Sequence, residues 1–218
     1  PNVSFCVTNS NTVDPLTGIE FRDHVFSNKF VTIEDIQDSV PFTHGSVMYR
    51  SADLKFAGGY NNIFKWCSDW DLFFRMLKNN PAIYIDELLY TRFARSDGVS
   101  FHPQKSIEQI SYKYLAKWLN KEDTDREKLV ENVEVMGIEL VQKYWASHIR
   151  NDLYKREVKL ILMRRYNCSN ELYQLTNKNF GKNGFFSLVR IIFIAVSLLP
   201  LKYDNIINFF RGVSKWWR

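Results

Sequence analysis

The amino-acid pattern changes character once, near Pro103, and this limits the fold more than any single motif does. Before that point short apolar runs alternate with turn residues, and after it apolar residues recur at helical spacing. The first hundred residues therefore read as α/β, the next eighty as helical, and the last thirty-eight as something else. With 45% hydrophobic residues, 17 Phe, 11 Tyr and 6 Trp in 218 positions, the chain can bury a core and is not a disordered one. Cys6, Cys67 and Cys168 form no CxxC pair, which excludes a disulfide framework and a cysteine zinc site and fits a reducing compartment.

Individual elements follow from local signals. Val3–Thr8 reads as a short buried strand, and the polar run after it as turns that cannot be helix. Phe42–Tyr49 reads as a strand interrupted by Gly45, and Arg50–Ala57 as one or two helical turns ended by Gly58–Gly59. Ser68–Asn79 is the best-signalled helix of the first half, with Ser68 as N-cap and Leu72, Met76 and Leu77 at helical spacing. Ile83–Ile85 and Leu88–Phe93 read as two strands around an Asp86–Glu87 turn. Ile107–Leu119 reads as a helix. From Asp125 to about Arg165 one long helix or two are expected, with Leu129, Val133, Met136, Leu140 and Tyr144 on one face.

The last thirty-eight residues hold six basic groups and one acid, which is the chain's entire net charge of +5; the other 180 carry 23 of each sign. Basicity confined to an apolar tail favours a membrane surface over nucleic acid as the anionic partner. Phe185–Leu201 is about 25 Å long as a helix, at the lower limit for a bilayer span, and it carries Arg190. In Asn205–Arg218, Ile206, Phe210, Val213 and Trp217 share one face, with cations largely off it, as in an interfacial helix. The competing reading is a helical pair that closes the domain's own core.

Few residues carry recognisable chemistry. There is no GxSxG, P-loop, HExxH or CxxC. Asp69 and Asp71 open the Ser68 helix, where both acids complement the helix dipole for about 1 kcal/mol at most, and Asp71 pairs with Arg75 at i,i+4. Equally, a carboxylate held ionised at a helix N-terminus serves as a general base when aimed into a cleft. Gly58–Gly59 is either a helix C-cap or a place where bare backbone approaches a ligand. His44–Gly45 has the same two readings.

Their order is more telling than any one of them. HGSVMYRSADLKFAGGYNNIFKWCSDWDLFFRMLKN, the strands Ile83–Tyr90 and the segment FARSDGVS together resemble the acceptor-side half of family 2 glycosyltransferases with the GT-A fold. The likeness runs from about His44 to Ser100. Ser68 stands where that family often has Glu, and FARSDGVS offers Arg95 and Ser96 in place of the family's later YR-x-H, with His102 beyond. Pro1–Gly18 resembles the strand and turn that follow the family's nucleotide-binding half.

The resemblance implies the C-terminal half of a GT-A-like domain (residues 1–102), a helical extension (103–180) and an amphipathic basic membrane-interface tail (181–218). It implies inverting transfer of a sugar from a nucleotide-sugar donor to a glycan or lipid-linked acceptor, in bacterial envelope or surface polysaccharide synthesis at the cytoplasmic face of the membrane. Asp69 would be the catalytic base. His44, Gly45, Gly58, Gly59 and Tyr60 would shape the substrate cleft, with Asp71 and Arg75 supporting the helix. A divalent cation, Mg²⁺ or Mn²⁺, would be held mainly by an upstream half, so this piece alone would be inactive. The rival expectation is a non-catalytic, membrane-associated interaction module on a degenerate scaffold.

Overall fold

The computed structural model describes residues 2–22, 29–95, 98, 102–121 and 123–199. The expected interfacial helix at 205–218, and Ser96, Asp97, Val99 and Ser100 of FARSDGVS, lie outside the described residues. The fold is mixed α/β, with a five-stranded sheet and, among the described residues, eight α-helices. Strand β1 (Phe5–Val13) pairs with β2 (Glu20–Arg22), β4 (Met48–Tyr49) and β5 (Ala82–Phe93), and β3 (Phe30–Val31) pairs with β5. The β1–β4 and β3–β5 pairs are antiparallel. Ser4 N–H donates to Pro81 O at the start of β1 and Ala94 N–H to Val13 O at its end, so β1 and β5 run parallel.

Two expectations fail in the strands for one reason. The polar stretch Asn9–Thr12 is not a turn but the second half of β1, and it is buried. The expected Asp86–Glu87 turn is absent, because β5 is one continuous strand of 12 residues. Cross-strand partners make both possible. Asn9 donates to Asp86 Oδ1 at 2.6 Å and accepts from the Tyr84 hydroxyl, Ser10 pairs with Thr43 at 2.7 Å, and Arg92 donates to Thr12 at 2.7 Å. Polar side chains satisfied in this way tolerate burial. Phe42–Tyr49 is not one strand either: a 3₁₀ turn at His44–Ser46 precedes the two-residue β4.

The helices α1 (Ser51–Phe56), α2 (Ser68–Leu77) and α3 (Pro103–Leu119) lie where the sequence places them, α3 starting on the proline that suits a first helical position. The Asp125–Arg165 stretch is three helices, α4 (Arg126–Met136), α5 (Glu139–Tyr144) and α6 (Ala146–Leu162). Gly137, at φ 74°, closes α4, so the expected single face is broken there: Leu129 and Val133 are buried, whereas Met136 and Tyr144 are exposed. Helices α7 (Tyr166–Phe180) and α8 (Gly184–Ser197) follow.

The chain forms two compact units. The first draws its described residues from Pro1–Thr12, Arg22–Arg92 and Ser111–Tyr144, the second from Val13–Phe21, Phe93–Ile110 and Trp145–Arg218. In the first, Phe5, Phe42 and Phe73 meet with ring centroids 5.1 to 6.0 Å apart. All three are buried, which is worth roughly 2–3 kcal/mol for each ring. In the second, α6 packs on α7 and α8 around Val158, Ile161, Leu162 and Phe193. Arg165 donates two 2.7 Å hydrogen bonds to the buried Asp14 carboxylate and a third to Ala94 O. Burial alone would raise the Asp14 carboxyl, but the bonds from Arg165 and Leu16 N–H outweigh it and hold the group below its ordinary range.

Candidate functional site

The first unit gathers most of the candidate residues around α2. Ser68 is the first helical residue rather than the cap, which corrects the sequence reading. The cap position belongs to Cys67, whose left-handed backbone (φ 58°) turns the chain into the helix and whose carbonyl accepts Trp70 N–H at 3.0 Å. A left-handed residue other than glycine is uncommon and costs backbone energy. This shift places Asp69 second and Asp71 fourth in the helix.

The two acids then part company. Asp71 is fully buried. It accepts from Arg75 Nε at 2.9 Å, Arg126 Nη2 at 2.9 Å and Asn120 Nδ2 at 3.2 Å. The dipole role worth at most about 1 kcal/mol is therefore too small a description of Asp71, which is the hub of a buried ion-pair network. Asp69 is half-buried. Its Oδ1 accepts the neighbouring Trp70 N–H at 3.0 Å, and among the described residues no cation pairs with it. A carboxylate with a free lone pair and no neutralising partner retains its capacity to take a proton.

Beside Asp69 lies a chain of hydrogen-bonding rings. His44 Nε2 and the Tyr60 hydroxyl are 2.9 Å apart, and the hydroxyls of Tyr60 and Tyr49 are 3.4 Å apart. Phe73 of α2 supports the group, with Tyr49 stacked on it at 6.3 Å and His44 edge-on at 6.2 Å. Burial pushes the Tyr49 phenol above its ordinary range, and the Tyr60 hydroxyl and the Asp69 charge add to the shift. Tyr49 therefore stays a neutral hydroxyl at physiological pH. His44 and Tyr60 are both exposed, so the outer end of the chain faces solvent.

Glycines fit these side chains to the backbone. At Gly45 a Cβ would fall 2.3 Å from the Tyr90 ring, so glycine is what lets Tyr90 lie across this turn. Gly58 and Gly59 have φ of 78° and 66° and cap α1, with Gly59 N–H donating to Leu54 O at 3.0 Å. Arg75 donates to Gly59 O at 2.7 Å and to Ala57 O while it holds Asp71, so one guanidinium ties α2 to this turn. The C-cap reading of the two glycines is met directly.

Tyr49, Tyr90, Asn120 and Arg126 were not singled out by sequence. Asn120 and Arg126 are 49 and 55 residues from Asp71 and have no local signature. Tyr49 and Tyr90 carry only the weak signal of an aromatic residue in a strand. A cleft of about 340 Å³ in the same unit is lined by Ser4, Asp53, Phe56, Met76, Asn79 and Asn80, none of which belongs to the ring chain. Among the described residues no three His, Cys, Asp or Glu side chains gather where they could hold a metal ion. No protein-family model, curated protein or solved structure matches the chain.

Proposed function

We propose that this chain is the acceptor-side part of an inverting glycosyltransferase of the GT-A type, acting on a nucleotide-sugar and a hydroxyl acceptor. The observation that carries the reading is the division of labour between two acids on one helix turn. Asp71 is neutralised and buried, and Asp69 is left beside a ring chain with no cation partner. In the proposed reaction the acceptor oxygen attacks the anomeric carbon as its proton passes to Asp69. The bond from that carbon to the diphosphate breaks, and the leaving nucleoside diphosphate takes the electron pair. His44 and Tyr60 supply exposed rings and hydrogen-bonding groups against which a sugar can lie, and Tyr49 holds Tyr60. In this proposal nucleotide and cation binding fall to groups other than the residues named here. Residues 181–218 would hold the enzyme at the cytoplasmic face of a membrane, near lipid-linked or surface-glycan acceptors.

The test is a screen of nucleotide-sugars against the full-length protein, with Asp69→Asn compared with the unaltered form. Asp69→Asn is expected to lower turnover on the order of 10²–10⁴-fold while largely keeping donor binding. Equal turnover in the two forms would refute the assignment of the base. Absence of transfer with every donor would favour the non-catalytic module.

A further inference from the structure

Helix α8 is apolar on both faces, and its polar side chains settle which face is free. It carries three of them, Ser187, Arg190 and Ser197, and all turn toward α6 and α7. Ser187 Oγ lies 2.7 Å from the Tyr173 hydroxyl, and Ser197 Oγ lies 3.0 Å from that of Tyr166. Arg190 Nε donates to the buried Glu157 carboxylate at 2.6 Å, and its guanidinium lies over the Tyr173 ring at 4.9 Å and donates to Asn170. Phe186 stacks on Tyr154 at 4.4 Å, and Phe193 joins the core. On the opposite side Phe185, Leu188, Ile191, Ile192, Leu198 and Leu199 are all exposed. Every exposed residue of α8 lacks a polar side-chain atom.

We infer that this outer row of α8 is the surface that inserts into an anionic membrane, lying in the interface with its length along the membrane plane; the inference rests on the membrane reading above. Three observations select lipid over other occupants. First, no exposed residue of α8 carries a polar side-chain atom over a helix about 21 Å long, so the row itself offers another protein no side-chain hydrogen bond. Second, α8 is shorter than a bilayer core, and among the described residues no helix is long and apolar enough to cross a membrane. Third, the row belongs to the stretch of sequence that carries the chain's whole net positive charge. Lys178 and Lys182 are exposed before α8, and the sequence beyond Leu199 adds Lys202, Arg211, Lys215 and Arg218 against the single acid Asp204. Anionic headgroups complement the net +5 that the sequence concentrates in residues 181–218. Arg190, which the sequence counts among the membrane-seeking charges, is committed to Glu157 and contributes nothing to headgroup binding.

The experiment is flotation of the whole protein with phosphatidylcholine vesicles, with and without phosphatidylglycerol, alongside its activity on a water-soluble acceptor. Leu188→Ser with Ile192→Ser is expected to lower partition onto anionic vesicles at least tenfold and to leave activity on the soluble acceptor unchanged. A fluorophore on Leu188→Cys, with the native cysteines replaced by Ser, is expected to shift blue on vesicle binding. Undiminished partition of the double variant, or an unshifted label on a vesicle-bound protein, would overturn the assignment of the face while leaving membrane attachment standing. Failure of the unaltered protein to float would overturn both. A concentration-dependent dimer abolished by the same pair of substitutions, without flotation, would assign the row to a second copy and overturn the inference.

Discussion

Replacing Asp71 by Asn changes one atom's chemistry at constant shape. The carboxylate has no exposed surface and holds two guanidinium groups at 2.9 Å, on Arg75 and Arg126, with Asn120 as a third donor. An amide offers one acceptor oxygen, so one guanidinium is left facing an N–H₂ group. Removing one partner of a buried ion pair costs about 3–5 kcal/mol, since the remaining charge is stranded. Arg126 is 34% exposed, so water recovers part of its loss, and Arg75 at 17% is more enclosed. The low end, about 3 kcal/mol, is expected, or a fall in Tm of about 6–12 °C for a chain of this length. Urea unfolding followed by circular dichroism measures it. Because Arg126 acts through the same carboxylate, Arg126→Met is expected to cost less in the Asp71→Asn background than alone. A folded Asp71→Asn protein within about 0.5 kcal/mol of the unaltered one, or strictly additive costs, would refute the network's role.

Asp69→Asn, two residues away, is expected to change stability by less than about 0.5 kcal/mol while abolishing most turnover, because no cation depends on it. Gly45→Ala displaces the far end of the half-buried Tyr90 side chain and is expected to cost less than about 1 kcal/mol, a cost that vanishes in a Tyr90→Ala background; an equal cost in both backgrounds would show that the ring is not what glycine accommodates. Glu157 gives a pH signature. Burial raises its carboxyl from the ordinary 4.5 to about 7 against the pull of Arg190. The folded state thus binds this proton more tightly than the unfolded one, so the group's contribution to stability is full below pH 4.5 and is lost as pH rises through about 7. The loss is on the order of 3 kcal/mol. Glu157→Gln is expected to flatten the decline in unfolding free energy between pH 4.5 and 8; an unchanged slope would refute this origin.

The helical character after Pro103 and the places of α1 and α2 were legible because capping and turn residues act over a few positions. Asp125, for example, accepts Lys128 N–H at 3.1 Å at the start of α4. The break at Gly137, the three-helix division of 125–165 and the cap of α2 at Cys67 escaped this reading. Polar strand residues were not legible. Asn9, Ser10 and Thr12 read as a loop until Tyr84, Asp86, Thr43 and Arg92, from 33 to 80 residues away, satisfy them. The same holds for Asp71, whose burial is decided by Asn120 and Arg126 rather than by its neighbours. Nor does the linear pattern reveal that both compact units are assembled from interleaved segments. Local order located the two acids and the resemblance gave them separate roles, whereas the burial of Asp71 by Asn120 and Arg126 came only from tertiary partners.

The left-handed Cys67 has a consequence for anyone improving this protein by selection for heat resistance. Asparagine tolerates that backbone conformation better than cysteine does and offers its own local hydrogen bonds. Stability screens are therefore expected to favour asparagine at position 67, with gains approaching the roughly 1 kcal/mol such a residue stores. Position 67 is also where the peptide leading to Asp69 receives its direction. Because asparagine keeps the left-handed conformation, such a descendant would gain stability with the entry of α2 and the position of Asp69 unchanged.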